Sequence, residues 1–165
     1  MKKEIVFDSS TAILLAKIQL LGAITEKLKV IFPETVKEET TKKRDSFDSK
    51  LILKLINENR IKIAKAGKSK VNKLIQDFNI ELGEAEALEL AKQKKCAMAA
   101  DDGPSIRICK IFNIKFITAI HFLLQFHKNG LLEKAMALEK LKMLESYARY
   151  DYDIIKDAKS RIEGE

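Results

Sequence analysis

Short apolar runs, each halted by an acid or a turn signal and followed at once by a helix-forming stretch, constrain this chain more than any other feature. The first, residues 3–7, stops at Asp8, where Ser9, Ser10 and Thr11 offer N-caps for a helix through Ala12-Ile13-Leu14-Leu15-Ala16. That helix is expected to run on. A second run at 29–32 closes on Pro33, which suits the first turn of a helix carrying Val36, Glu38 and Glu39. Residues 46–57 place Phe47, Leu51, Leu55 and Ile56 at helical spacing. Residues 60–64 alternate Ile61 and Ile63 with basic side chains and read as an edge strand, followed by a surface loop around Gly67. Helices over 71–78 and 82–94 precede a small-residue strand at 96–100, which ends on Asp101-Asp102-Gly103-Pro104. A helix at 106–112, a strand at 114–118 and a helix at 120–127 follow, then two more helices at 131–144 and 152–162. Strands alternating with helices imply an α/β fold, a doubly wound parallel sheet with helices on both faces. Residues 1–130 would form that domain, and 131–165 a helical C-terminal extension packed on it.

Composition agrees. The chain has 165 residues, 46% hydrophobic and 33% charged, with only six Gly and two Pro, which excludes a turn-rich sandwich and a disordered tail. No apolar run reaches membrane-spanning length, and Glu4 and Asp8 interrupt what a signal peptide would need. The expectation is a protein of the cytoplasm, neither exported nor membrane-bound, whose two cysteines build no disulfide framework. Lys and Arg number 31 against 24 Asp and Glu, a net +7, which suits a nucleic-acid partner and equally a merely lysine-rich surface.

The acids carry what chemistry the sequence offers. Asp8 follows a buried strand, where open α/β sheets form their ligand crevice, although an Asp there also caps the next helix. Asp101 and Asp102 are adjacent carboxylates at another strand end, and their repulsion calls for a cation or for good solvation. In Leu82-Gly83-Glu84-Ala85-Glu86-Ala87-Leu88, helical geometry places Glu84 on the apolar stripe with Ala87, Leu88 and Ala91, while Glu86 points toward Glu89 and Leu90. Glu38 and Glu39 lie on a polar helix and read as surface. Strand-end acids that converge on one side of a parallel sheet repel when empty and suit Mg²⁺ or Mn²⁺, hard ions that prefer oxygen ligands. His121 and His127 are six apart with no Cys-His grouping beside them, so a zinc site is not indicated.

In chain order, Ile5-Val6-Phe7-Asp8-Ser9-Ser10, Pro33-x-x-Val36-x-x-Glu39, Gly83-Glu84-Ala85-Glu86-Ala87-Leu88 and Ala100-Asp101-Asp102-Gly103-Pro104 resemble the PIN-domain family of metal-dependent ribonucleases. The resemblance is to the VapC-like toxin branch with a Gly-Glu-x-Glu-Ala motif. Arg107, residues 112–118 and Gly130-Leu-Leu-Glu-Lys-Ala are similar as well, so it covers nearly the whole chain.

The resemblance implies hydrolysis of RNA phosphodiesters with Mg²⁺ or Mn²⁺, leaving a 5′-phosphate and a 3′-hydroxyl. Asp8 would be the central ligand and Glu39 the second acid, orienting water. The third acid falls on Glu84 or Glu86, and the fourth on Asp101 or Asp102. One departure is Ala100, where the family often has a Thr two residues before its last Asp. Lys42, Lys43, Arg44 and the loop with Lys65, Lys68 and Lys70 would track RNA phosphates. A small antitoxin protein and a second copy of the chain are the implied partners; the apolar face of 131–144 would either pair with the copy or cover the core. Two other readings are a PIN-fold binding module without catalysis and a stand-alone RNA-processing nuclease. A phosphoacceptor domain fits worse, because its acidic pair belongs after the first strand and here the pair comes late.

Overall fold

The computed structural model describes residues 1–164. Two units divide the chain, Met1–Ile117 and Thr118–Glu165. In the first, β1 (Glu4–Phe7), β2 (Lys29–Pro33), β3 (Ile61–Ala64), β4 (Ala97–Ala99) and β5 (Phe116–Ile117) form one sheet in the order β3-β2-β1-β4-β5. Every neighbouring pair is parallel, with Val6 opposite Ile31 and Met98, and Phe7 opposite Ala99. Parallel neighbours need long crossovers, which the helices supply. After their first residues, Glu4 and Lys29, strands β1 and β2 are apolar because helices cover both faces; Ile5, Val6, Phe7, Val30, Ile31 and Phe32 are all buried.

The helices of this unit are α1 (Ser9–Lys17), α2 (Leu21–Lys27), α3 (Glu34–Thr41), α4 (Phe47–Asn57), α5 (Lys68–Phe78), α6 (Leu82–Lys94) and α7 (Gly103–Ile111). The expected continuous helix after Ala16 breaks at Gln19, whose φ of 58° is left-handed, and resumes as α2. On α4 the buried residues are Ser49, Ile52 and Leu55, while Phe47 is 56% exposed. Ser49 Oγ donates to the Thr40 carbonyl at 2.8 Å, a tie to α3 that fixes which face turns inward and leaves Phe47 outside. Elsewhere the strands and helices fall within about three residues of the expected bounds: α5 begins at Lys68, inside the expected surface loop, and 134–147 rather than 131–144 forms the ninth helix. α7 starts at Gly103, ahead of the expected 106, because Asp102 caps it and Pro104 sits in its first turn.

The second unit consists of α8 (Ala119–Lys128), α9 (Lys134–Tyr147) and α10 (Tyr152–Gly164), which pack on one another. Leu123, Phe126, Leu141, Leu144, Ile155 and Ile162 are among its buried residues.

The strand order matters for function. Counting outward from β1, the chain moves one way to β2 and β3 and the other way to β4 and β5. The carboxyl ends of β1 and β4 therefore flank the point where the winding reverses, the place at which open α/β sheets leave a crevice.

Candidate metal centre at the carboxyl ends of the strands

Asp8 and Asp102 stand on either side of that crevice and are built alike. Each is the N-cap of a helix, Asp8 of α1 and Asp102 of α7. Asp8 Oδ1 accepts the Thr11 N–H at 3.0 Å and the Ser10 hydroxyl at 3.4 Å; Asp102 Oδ2 accepts the Ser105 N–H at 2.9 Å. The other oxygen of each, Asp8 Oδ2 and Asp102 Oδ1, is buried with no donor. The two carboxyls lie within hydrogen-bonding reach of each other, and Asp102 is within reach of Glu84 as well. Asp102 is thus the middle member of a row of three acids.

Removing this row from water has a cost that shows in its protonation. Burial pushes the Asp8 carboxyl well above the ordinary carboxylate range, and neighbouring Asp102 adds to the rise against the lowering effect of Thr11. Glu84 is raised too, by burial first and then by the charge of Asp102. Among the described residues no Lys, Arg or His forms an ion pair with Asp8, Glu84 or Asp102. Acids held together without a counter-cation, two of them (Asp8 and Asp102) keeping a bare buried oxygen, form a site that a cation would relieve.

The hydroxyls read as N-cap candidates do something else. Asp8 is itself the cap, and the next three residues each reach a different acid. Ser9 Oγ donates to Glu39 Oε1 at 2.9 Å, Ser10 reaches Asp8, and Thr11 Oγ1 donates to Asp101 Oδ2 at 2.6 Å. Nothing in the local sequence links Ser9 to Glu39, which is 30 residues away; only the packing of α1 on α3 does so. Glu39 is exposed, as its helical position suggested, yet its carboxyl is held at the rim of the site.

The Gly83-Glu84-Ala85-Glu86-Ala87 stretch can now be read residue by residue. Gly83 faces Glu39 so closely that a Cβ would collide with Glu39 Oε1. Glu84 completes a capping box at the start of α6, its Oε2 accepting the Glu81 N–H at 3.2 Å, and faces Asp102. Ala85 and Ala87 are fully buried, small enough for α6 to lie close against its neighbours. Glu86 Oε1 accepts the Thr35 N–H at 3.2 Å, at the N-terminus of α3. The structure therefore gathers Asp8, Asp102 and Glu84, holds Glu39 and Asp101 beside them by hydroxyls, and sets Glu86 against α3. Ala100, where a Thr was expected, leaves Asp102 still oriented, because the α7 backbone supplies the donor.

Among the cations proposed for RNA, Lys68 and Lys70 lie in the first turn of α5, after the loop that follows β3, and line a hollow with Glu89 and Gln93 of α6. Lys42, Lys43 and Arg44 lie past the C-terminus of α3, exposed and about one helix length away.

A sequence model described as a PIN domain matches residues 4–163. The chain belongs to the PIN-domain family. PIN domains are nuclease-type folds that typically work with divalent metal ions, and the residues of this one fit such an ion. Among the described residues no three His, Cys, Asp or Glu side chains surround one point as ligands would. Mg²⁺, however, is commonly held by one or two carboxylates while keeping several waters, and Asp8 with Asp102 offers that donor set. No curated protein matches the sequence of this PIN domain. Among the described residues no helix is long and apolar enough to cross a membrane.

Proposed function

We propose that this PIN domain is a Mg²⁺- or Mn²⁺-dependent endoribonuclease and, from its likeness to the VapC branch, the toxin of a toxin–antitoxin pair. The observation that carries the reading is the paired N-caps. Asp8 and Asp102 each give one oxygen to a helix N-terminus and leave the other buried, bare and facing a like charge. A structural cap needs no such partner.

Asp8 and Asp102 would hold the ion, with Glu84 beside them. Bound there, a divalent ion polarises a phosphoryl oxygen and lowers the pKa of water. The chain's own residues do the rest. The Thr11 and Ser105 backbone N–H groups aim the two carboxylates. Glu39, held by Ser9 and seated over Gly83, would accept a proton from an attacking water. Asp101, tied to Thr11, keeps the loop after β4 in register with α1. Lys68 and Lys70 would meet phosphates of the bound strand.

Cleavage of a mixed RNA pool tests this directly, with Mn²⁺, with EDTA, and with Asp8→Asn and Asp102→Asn proteins purified in parallel. The reading expects cutting that needs metal, disappears in both variants, and leaves 5′-phosphate ends. Equal cutting by wild type and variants identifies a contaminant. If metal neither supports cutting nor raises the melting temperature, the fold serves as a binding module instead.

A further inference from the structure

The amino ends of the strands, opposite the acids, carry a second charged surface. Lys3, Lys29, Lys92, Lys94, Lys95 and Lys115 line a groove of about 930 Å³ there, together with Lys2, and Glu4 is the one acid among its lining residues. Glu4 Oε2 is already shared between Lys29 at 3.8 Å and Lys94 at 3.6 Å. Among the described residues, Lys3, Lys92, Lys95 and Lys115 form no ion pair. This concentration of positive charge comes from the starts of four different strands, so the fold assembles it rather than any one stretch of sequence.

The groove does not end there. Lys92 and Phe112 also line a second groove, of about 580 Å³, between α5 and α6, where Lys70, Lys73 and Phe78 join them. Lys70 in turn borders a smaller hollow with Gly67 and Lys68, at the end of the loop that leaves the carboxyl end of β3. Lysines thus recur alongside the latter half of α6 as far as the amino ends of the strands, with Asp77 and Glu89 the acids between them. Apolar faces are interleaved with them: Phe78 and Phe112 are half-buried, Ile111 is 59% exposed, and the Lys92 ammonium sits 4.1 Å over the Phe112 ring. On the floor of the second groove Glu89, only 4% exposed, leaves Oε2 with no donor.

We propose that this track binds single-stranded RNA away from the cleavage site. The inference rests on the ribonuclease reading and adds to it how the substrate is held. Cations spaced along a groove neutralise successive phosphates, exposed aromatic and aliphatic faces accept bases, and the bare Glu89 oxygen suits an exocyclic base amine. An acidic peptide would use the lysines and leave the apolar faces and Glu89 unexplained. α6 has 13 residues and is about 20 Å long, so a strand following it must be several nucleotides in length.

The test measures binding without cutting. Full-length protein in EDTA is titrated into labelled, unstructured RNA of about twelve nucleotides, followed by anisotropy across a salt series. Three proteins are compared: wild type, Lys92→Gln/Lys95→Gln/Lys115→Gln, and a control, Lys50→Gln/Lys54→Gln/Lys62→Gln, that removes equal charge from exposed positions outside the track. A loss of about 0.7 in the log–log salt slope per phosphate contact predicts a slope shallower by about 2 for the track variant, with affinity down roughly tenfold or more at low salt. The control should bind nearly as wild type does, and both variants should melt like wild type. Equal weakening in track variant and control overturns the proposal, as does displacement of RNA by polyglutamate at matched charge. The two readings fail separately. If RNA binds along the track but wild type with metal cuts nothing, the nuclease reading falls; if wild type cuts and the track variant binds unchanged, the track falls.

Discussion

Asp8→Asn should make the metal-free protein more stable while abolishing its chemistry. Asp8 is 3% exposed, its Oδ2 has no donor, and Asp102 lies within hydrogen-bonding reach. An Asn keeps the cap, because its carbonyl oxygen can still accept the Thr11 N–H, and Asn and Asp rank together as N-caps. Its amide turned toward Asp102 then replaces a repulsion with a donated hydrogen bond. Leaving a buried polar acceptor unsatisfied costs about 1–3 kcal/mol. At about 3 °C per kcal/mol for a chain this size, the variant should melt about 3–9 °C above wild type in EDTA at neutral pH.

Metal should reverse the order. An ion at 100 times its dissociation constant stabilises by about 2.7 kcal/mol, which wild type gains and Asp8→Asn largely forgoes. The pH dependence has a definite sign. The Asp8 pKa in the folded protein lies above its ordinary 3.8, so between the two values the folded state holds more protons than the unfolded one. Stability from this group is therefore greatest below 3.8 and declines as pH rises through the raised value. The melting difference between variant and wild type should widen over that window. Differential scanning fluorimetry with and without Mn²⁺, repeated across pH, reads all of this. A variant less stable than wild type in EDTA, or stabilised equally by Mn²⁺, refutes the assignment of Asp8 as an acid held for a metal.

Other positions give sharper single readouts. Gly83→Ala should leave the folding stability within about 1 kcal/mol of wild type, since the colliding atom is the far end of a side chain, yet displace Glu39 and depress metal-dependent cleavage. Ser9→Ala should lower the cleavage rate more than substrate affinity, because it frees the Glu39 carboxyl without touching a ligand. Cys109, whose thiol burial pushes up to about 11 with Asp102 and Asp8 adding to the rise, should resist alkylation at mildly alkaline pH until the protein unfolds. Lys95→Gly should raise stability by roughly 1 kcal/mol, because residue 95 ends α6 at a left-handed φ of 53°, and should weaken RNA binding if the groove lysines contact phosphates.

The strands and most helix boundaries were legible because they are local. A buried parallel strand needs a continuous apolar run, and a cap needs its acid immediately before the helix. Asp8 and Asp102 were visible for the same reason. Glu39 was named only through the family resemblance, since periodicity correctly marks it as exposed and only Ser9 and Gly83, from distant segments, give it a place. Glu89 escaped for a different reason. One apolar stripe was expected on α6, but Gly83, Ala85 and all five residues from Ala87 to Ala91 are buried, because the sheet, α3 and α5 enclose the helix on several sides. The groove lysines escaped because four strand starts contribute to them, and sequence spacing carries no trace of that meeting.

Four helix N-termini supply the logic of the site itself. α1 is capped by Asp8, α7 by Asp102, α6 carries Glu84 in its capping box, and the N-terminus of α3 donates to Glu86. Parallel strands with helical crossovers bring such N-termini to the carboxyl side of the sheet, each with unpaired N–H groups and partial positive charge. That field is what lets Asp8, Asp102 and Glu84 cluster where, among the described residues, no lysine or arginine pairs with them. It is also incomplete, because a cap satisfies one oxygen of each aspartate and a half-charge does not cancel a whole one. The remaining bare oxygens are then a consequence of the topology, and caps that served folding alone could have been Ser or Thr. Replacing Asp102 by Ser should accordingly preserve α7 and the melting temperature in EDTA while removing the response to Mn²⁺. Loss of the fold instead would mean that Asp102 is a cap and nothing more.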